Sequence, residues 1–316
     1  MPPNPTPPSS RYDASQAADD ADWFDRLDEI CAEEGYYEPI GARHHAFFAD
    51  ESPTLIVSFD TLQATRARPR QMPFALTVAE LRGWSHLAII AEGETWFREQ
   101  SLFRYFDRLV DEAFFDDFDR VVFYGAGMGG YAACAFSVAA PGSTVVAVSP
   151  RATLDPSVAG WDRRDLVARR LNFNDRYGYA PDMIEAAERV FILHDPYLPE
   201  DAMHAALFRG PHVSALRTRY LGDAVEPALI QIGLMPDLLL AAGDGRLTPE
   251  VFHRGWRARR HSPTYVDGLV ADLEVTGRLR AARELFGAVD PSALTPGLRA
   301  ALARLEREAQ SSSGVA

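Results

Sequence analysis

Five short runs of this 316-residue chain are strongly apolar: TLIVSF (54–59), HLAIIA (86–91), RVVFYG (120–125), TVVAVS (144–149) and RVFILH (189–194). A sixth, VSALRTRYL (213–221), mixes apolar and polar positions. The middle runs do not alternate, and strands covered on both faces read in this way. Stretches with helical spacing separate most of them, including SLFRYFDRLVDEAF (101–114) and YAACAFSVAA (131–140). Strands alternating with helices predict an α/β fold: a mostly parallel sheet with helices on both faces.

Ahead of the strands, ADWFDRLDEICAEEG places Trp23, Phe24, Leu27, Ile30 and Cys31 at helical spacing, with Gly35 as the expected stop. Residues 1–20 are rich in Pro, Ser, Ala and Asp and read as a disordered tail. The sheet is expected to end near residue 222. Beyond it TYVDGLVADLEVTG, RLRAARELFGAV and TPGLRAALARLEREAQ predict three helices, the last with a Leu298, Leu302 and Leu305 stripe. The expected division is a tail (1–20), an α/β domain (21–243), a helical subdomain (244–310) and a second tail (311–316). The first two C-terminal helices loosely resemble a tetratricopeptide pair. They are read either as packing on the sheet or as a docking surface for a protein partner.

The chemistry concentrates in FYGAGMGGYAA (123–133), where a buried strand turns sharply into a helix. Gly125, Gly127 and Gly130 fit G-x-G-x-x-G, which cradles dinucleotide phosphates. The next strand should then end in an acid for the ribose hydroxyl, but it ends in Ser149. Ser149 and Arg151 could instead hold a 2′-phosphate, so an NADP-binding reading stays open. At least two strands precede this turn, whereas the fingerprint usually follows the first.

The same residues fit a nucleophile elbow, G-x-S-x-G, with glycine in place of the serine: Gly125-Ala126-Gly127-Met128-Gly129. YGAGMGGYAACAFSVAAPGSTVVAVSP resembles the elbow, helix and following strand of α/β-hydrolases. That resemblance spans roughly residues 50 to 230. It implies the corresponding fold and the order nucleophile, acid, histidine. Gly127 then stands at the vacated nucleophile position. Asp195 matches the acid best, with Asp201 second, and Asp223 stands where the histidine should be. Met128 N–H would supply one oxyanion donor, and Phe59, Asp60 or Thr61 the other. Gly125, Gly129 and Gly130 would shape the turn around a small ligand.

With neither hydroxyl nor imidazole, acyl-enzyme chemistry has no starting point. The expected function is a catalytically degenerate hydrolase-like binder of an acyl, ester or carboxylate compound, or of a protein. The alternatives are an active hydrolase with a displaced nucleophile, Ser58 or Ser149 with a loop histidine, and the NADP-binding oxidoreductase.

Between two core strands, residues 161–182 carry Arg163, Arg164, Arg169, Arg170 and Arg176 among Trp161, Phe173, Tyr177 and Tyr179. They read either as a lid whose arginines, Arg169 and Arg176 among them, hold an anion, or as a surface helix paired to Asp162 and Asp165. The surface helix is the simpler reading. His194, His204 and His212 read as loop-surface residues. The His44-His45 pair lacks further ligands at metal spacing. Asp60, Asp195 and Asp223 could converge at one mouth of the sheet. No metal and no cofactor is expected.

Composition narrows the choice further. All 32 basic residues are arginine, which excludes a phosphate-loop lysine and a serine–lysine dyad. The net charge of −13 argues against nucleic acid and anionic membranes as partners. Cys31 and Cys134 are isolated, with no metal-ligand spacing. MPPNPTPPSS lacks the n- and h-regions of a signal peptide. Together these predict a soluble, cytoplasmic protein.

Overall fold

In the computed structural model, residues 11–32 and 35–278 are described, with scattered positions from 281 to 304. An eight-stranded sheet forms the centre: β1 (Gly35–Ile40), β2 (His44–Ala49), β3 (Thr54–Thr61), β4 (Ser85–Ala91), β5 (Arg120–Ala126), β6 (Thr144–Val148), β7 (Arg189–His194) and β8 (Val213–Arg217). Its spatial order is β1-β2-β4-β3-β5-β6-β7-β8. The first two pairings, β1 with β2 and β2 with β4, are antiparallel, and all the others are parallel. Helices cover both faces, in an α/β-hydrolase-like arrangement with helices at the C-terminal end.

The six expected strands are all present. The continuous apolar runs of the first five follow from double coverage. On one face the helices Gln100–Asp111 and Met128–Phe136 enclose Val57, Phe59, Phe123, Ala147 and Ile192. On the other, Phe74–Glu80, Leu234–Gly243 and Pro249–Gly255 enclose Ile56, Val122, Val146 and Leu193. The helix Asp20–Cys31 closes a third cluster over Phe47, Ala88 and Ile90.

The hairpin β1–β2 was not expected from the sequence. Its first strand carries Pro39, tolerated on a sheet edge. Its second, HHAFFA, is buried throughout and shows no alternation. Gly35 accordingly does not stop the first helix, which ends at Cys31; it opens β1. Within residues 1–20, the described part from Arg11 onward is packed: Tyr12 is buried against Phe47 at a ring distance of 6.3 Å. Of the three C-terminal helices, the first is Pro263–Val275. The other two fall mostly outside the described residues, and the Leu298, Leu302 and Leu305 stripe lies wholly outside them. Among the described residues no single helix is long and apolar enough to cross a membrane.

Candidate functional site

The strand order puts the C-terminal ends of β3, β5, β7 and β8 along one edge, and the three triad-like positions follow β5, β7 and β8. Gly127 caps the helix Met128–Phe136 with φ 56° and ψ −115°. That conformation is strained for any residue with a Cβ. A Cβ built on Gly127 meets nothing within 4 Å. At its neighbours the opposite holds: a Cβ on Gly129 would lie 2.1 Å from the Phe59 carbonyl oxygen, and one on Gly125 would lie 2.2 Å from that of Gly129. Gly130 is confined in the same way by Val148. Three glycines are therefore required by close approach, and the fourth leaves open space where a nucleophile would stand.

A cavity of about 150 Å³ lies beside this turn, lined by Phe59, Asp60, Thr61, Ala64, Arg68, Ala126, Met128, Gly129 and Glu226. Met128, Gly129 and Gly130 occupy the first turn of a helix, where N–H groups have no intrahelical acceptor. The Gly127 carbonyl takes the Tyr131 N–H. Thr61 caps the helix Leu62–Arg66, accepting the Ala64 N–H at 3.1 Å. The Phe59 ring stacks on Phe106 and Phe136 in the core. On the other side of the turn, Met128 Sδ accepts the Trp96 N–H at 3.0 Å.

Two hydrogen-bonded groups supply and back the polar wall. Asp60, on β3, accepts from Arg68 at 2.8 Å and from the Ser58 hydroxyl at 3.1 Å. Ser58 Oγ lies 3.0 Å from His86 Nε2. Tyr124 donates its hydroxyl to Glu226. Burial raises the Glu226 carboxyl above the usual range, with the nearby Asp60 charge adding to this, while Tyr124 and Arg68 oppose it. Burial also lowers His86 to about 4, so its imidazole is neutral.

Ser58, His86 and Asp60 have the residue types of a triad but not its wiring. Ser58 donates to the carboxylate, so His86 Nε2 must carry the proton it shares with Ser58 Oγ. That leaves His86 without a proton-accepting role toward the hydroxyl. Ser58 and His86 are also fully buried. The displaced-nucleophile alternative gains nothing from this pair.

The residues expected at the acid and histidine positions, Asp195 and Asp223, lie elsewhere. Asp195 is buried; Oδ1 accepts the Tyr197 N–H at 2.9 Å and Oδ2 the Gly222 N–H at 2.7 Å. Asp223 is exposed. Neither lines the cavity, so of the three aspartates only Asp60 does. Asp201 instead accepts from Arg164 at 2.6 Å.

Residues 161–182 form turns and short helices rather than the single surface helix of the simpler reading. One expected pairing is present, Arg164 with Asp162 at 2.8 Å; Asp165 instead faces Arg151, from outside the segment, at 3.6 Å. Arg151 also faces Asp162 at 3.3 Å and Asp201 at 3.5 Å, so its charge is already opposed by carboxylates rather than offered to a 2′-phosphate. Arg169 donates to the Ala159 carbonyl, and Arg176 pairs with Asp107. Neither lines the cavity. Ser149 sits at φ 45° beyond β6.

The histidines differ from the expected loop-surface placement. His204 is fully buried, accepting the Ala152 N–H at 3.1 Å and lying 3.0 Å from Asp162, and His194 is 5% exposed. His212 lies 3.2 Å from the Ile184 carbonyl. His44 bonds Thr95, and His45 bridges Tyr37 and Glu92. Among the described residues no group of three His, Cys, Asp or Glu side chains could hold a metal ion.

The sequence reading missed Arg68, Tyr124 and Glu226. Glu226 had a signal, since the histidine loop of α/β-hydrolases often reads G-H-x-x-E and this chain reads G-D-A-V-E. Arg68 and Tyr124 had none, because only the fold brings them beside β3 and the elbow.

No protein-family model and no curated protein matches this chain. Solved structures resemble it in part. An acylaminoacyl peptidase from Pyrococcus horikoshii is 9% identical with a TM-score of 0.45, over 68% of this chain and 42% of the peptidase. Est1E from Butyrivibrio proteoclasticus is 12% identical (TM-score 0.43), over 66% of this chain and 98% of Est1E. MPT51 from Mycobacterium tuberculosis is 16% identical (TM-score 0.41), over 65% and 98%. This chain thus spans less than half the length of the peptidase.

Proposed function

We propose that this chain is a non-hydrolytic α/β-hydrolase-like protein that binds a small acyl, ester or carboxylate compound beside its elbow. One observation supports the reading above the others: Gly127 keeps the backbone conformation of an elbow and has open space at its Cβ, yet carries no nucleophile. Asp223, at the histidine position, is exposed and offers no imidazole. What remains are backbone donors at a helix N-terminus, which favour an oxygen anion without cleaving anything.

The test is intact mass after incubation with a fluorophosphonate, on protein shown to be folded by circular dichroism. The expected spectrum carries no adduct. A stoichiometric adduct on a serine would replace this reading with that of an active hydrolase.

A further inference from the structure

The elbow cavity holds more ionisable chemistry than acyl binding requires. Asp60, Arg68 and Glu226 line a volume of about 150 Å³. The groups facing Glu226 come from three elements: the Tyr124 hydroxyl on β5, Asp60 on β3, and Arg68 beyond the helix Leu62–Arg66. Glu226 itself lies in the first turn of the helix Val225–Gln231, and the turn before that helix carries the exposed Asp223.

Arg68 has five N–H donors, and its bond to Asp60 uses one of them. It is therefore equipped to take a ligand oxygen as well, next to the helix start at Met128 and Gly129. An anion bound there would face two carboxyl groups. Asp60 accepts hydrogen bonds from Arg68 at 2.8 Å and from the Ser58 hydroxyl at 3.1 Å. Glu226 has only a phenol as its close partner. Two like charges in one small site favour one shared proton over two bare carboxylates.

We propose that this cavity binds a small monocarboxylate together with one proton, the carboxylate on Arg68 and the helix N-terminus and the proton on Glu226, which then donates a hydrogen bond to the ligand. The assignment rests on the carboxylate-binding reading above. The burial that already raises Glu226 acts in the same direction.

Propionate and butyrate, with propylamine and propionamide as controls, are titrated calorimetrically into the whole protein. Runs between pH 5 and 8 use two buffers of different ionisation enthalpy. Uptake should approach one proton per carboxylate bound at the high end, with affinity falling about tenfold per pH unit there. Glu226→Gln, which imitates the protonated acid, should bind propionate with no pH dependence and no uptake. Wild-type data alone decide the matter if that variant fails to fold.

Carboxylate binding without proton uptake would overturn the inference and leave the function reading standing. Tighter binding of propylamine, or no carboxylate binding by folded protein, would overturn the inference too. A fluorophosphonate adduct would instead remove the function reading, whatever the calorimetry gives.

Discussion

Asp195 Oδ2 accepts the Gly222 N–H at 2.7 Å, joining the residue that follows β7 to the backbone of the loop after β8. In a working triad that carboxylate would orient an imidazole. Here its second oxygen takes the Tyr197 N–H at 2.9 Å, so both oxygens serve the main chain. The residue is a structural anchor for the segment that presents Asp223 to solvent and Glu226 to the cavity.

Replacing Asp195 with Asn should therefore lower stability rather than alter any activity. Asn keeps one acceptor and turns an amide N–H₂ toward a buried backbone N–H. The expected cost is about 1–3 kcal/mol, read from urea unfolding at neutral pH. An unchanged midpoint would mean that this carboxylate does not anchor the loop.

The four elbow glycines should separate cleanly on mutation. Gly127→Ser has room for its side chain but must adopt φ 56°, at a cost of roughly 1–3 kcal/mol. Gly129→Ala meets the Phe59 carbonyl oxygen at 2.1 Å, a backbone atom that cannot swing aside. Thermal unfolding should find Gly127→Ser folded with a lowered midpoint and Gly129→Ala far less stable or unfolded. Gly127→Ser alone should still resist fluorophosphonate, because the Asp223 position supplies no base. Comparable stability of the two variants would contradict this account of the turn.

The core strands were legible because burial on both faces leaves a continuous apolar run, and the sharp turn after β5 was legible because close backbone approach admits only glycine at Gly125, Gly129 and Gly130. The β1–β2 hairpin escaped notice because HHAFFA opens with two histidines whose polarity is satisfied only in the fold, His44 by Thr95 and His45 by Tyr37 and Glu92. The cavity wall escaped for a related reason. Arg68, Tyr124 and Glu226 stand far apart in sequence, and no local pattern announces that a phenol on β5 will meet a carboxyl beyond β8.

Stability should fall between about pH 6.5 and pH 4. His44, His86 and His204 are pushed down by burial to about 4 in the folded protein, from an ordinary 6.5. In that window the unfolded chain binds more protons than the folded one. Stability is thus full above pH 6.5 and is lost as the pH falls, by up to about 1.4 kcal/mol per pH unit for each histidine. Urea unfolding at half-unit steps reads the slope, and His86→Gln should reduce it by about a third. A flat profile from pH 7 to 4.5 would show that these imidazoles do not stay neutral on folding.

The segment between β6 and β7 should depend on one carboxylate. Asp162 is fully buried, receives Arg164 at 2.8 Å and His204 at 3.0 Å, and faces Arg151 at 3.3 Å. Burial works against its ionisation, but the bonds from Arg164 and His204 prevail and hold it well below the usual carboxylate range. Asp162→Ala would leave two arginines crowded around Asp201 and Asp165, and breaking a buried pair in this way costs about 3–5 kcal/mol. The loss should be concentrated locally, since Arg164 and Arg151 tie this segment to Asp201 on the helix Pro199–Ala205. Trypsin supplies the readout, because with no lysine present it cuts only at arginine. Arg163, Arg164, Arg169 and Arg170 should be cleaved in Asp162→Ala well before the rest of the chain, with fragments assigned by mass. Asp175→Ala, which removes an exposed carboxylate from the same segment, should be cut like the wild type. Equal cleavage of the two variants would mean that the Asp162 network does not hold the segment down.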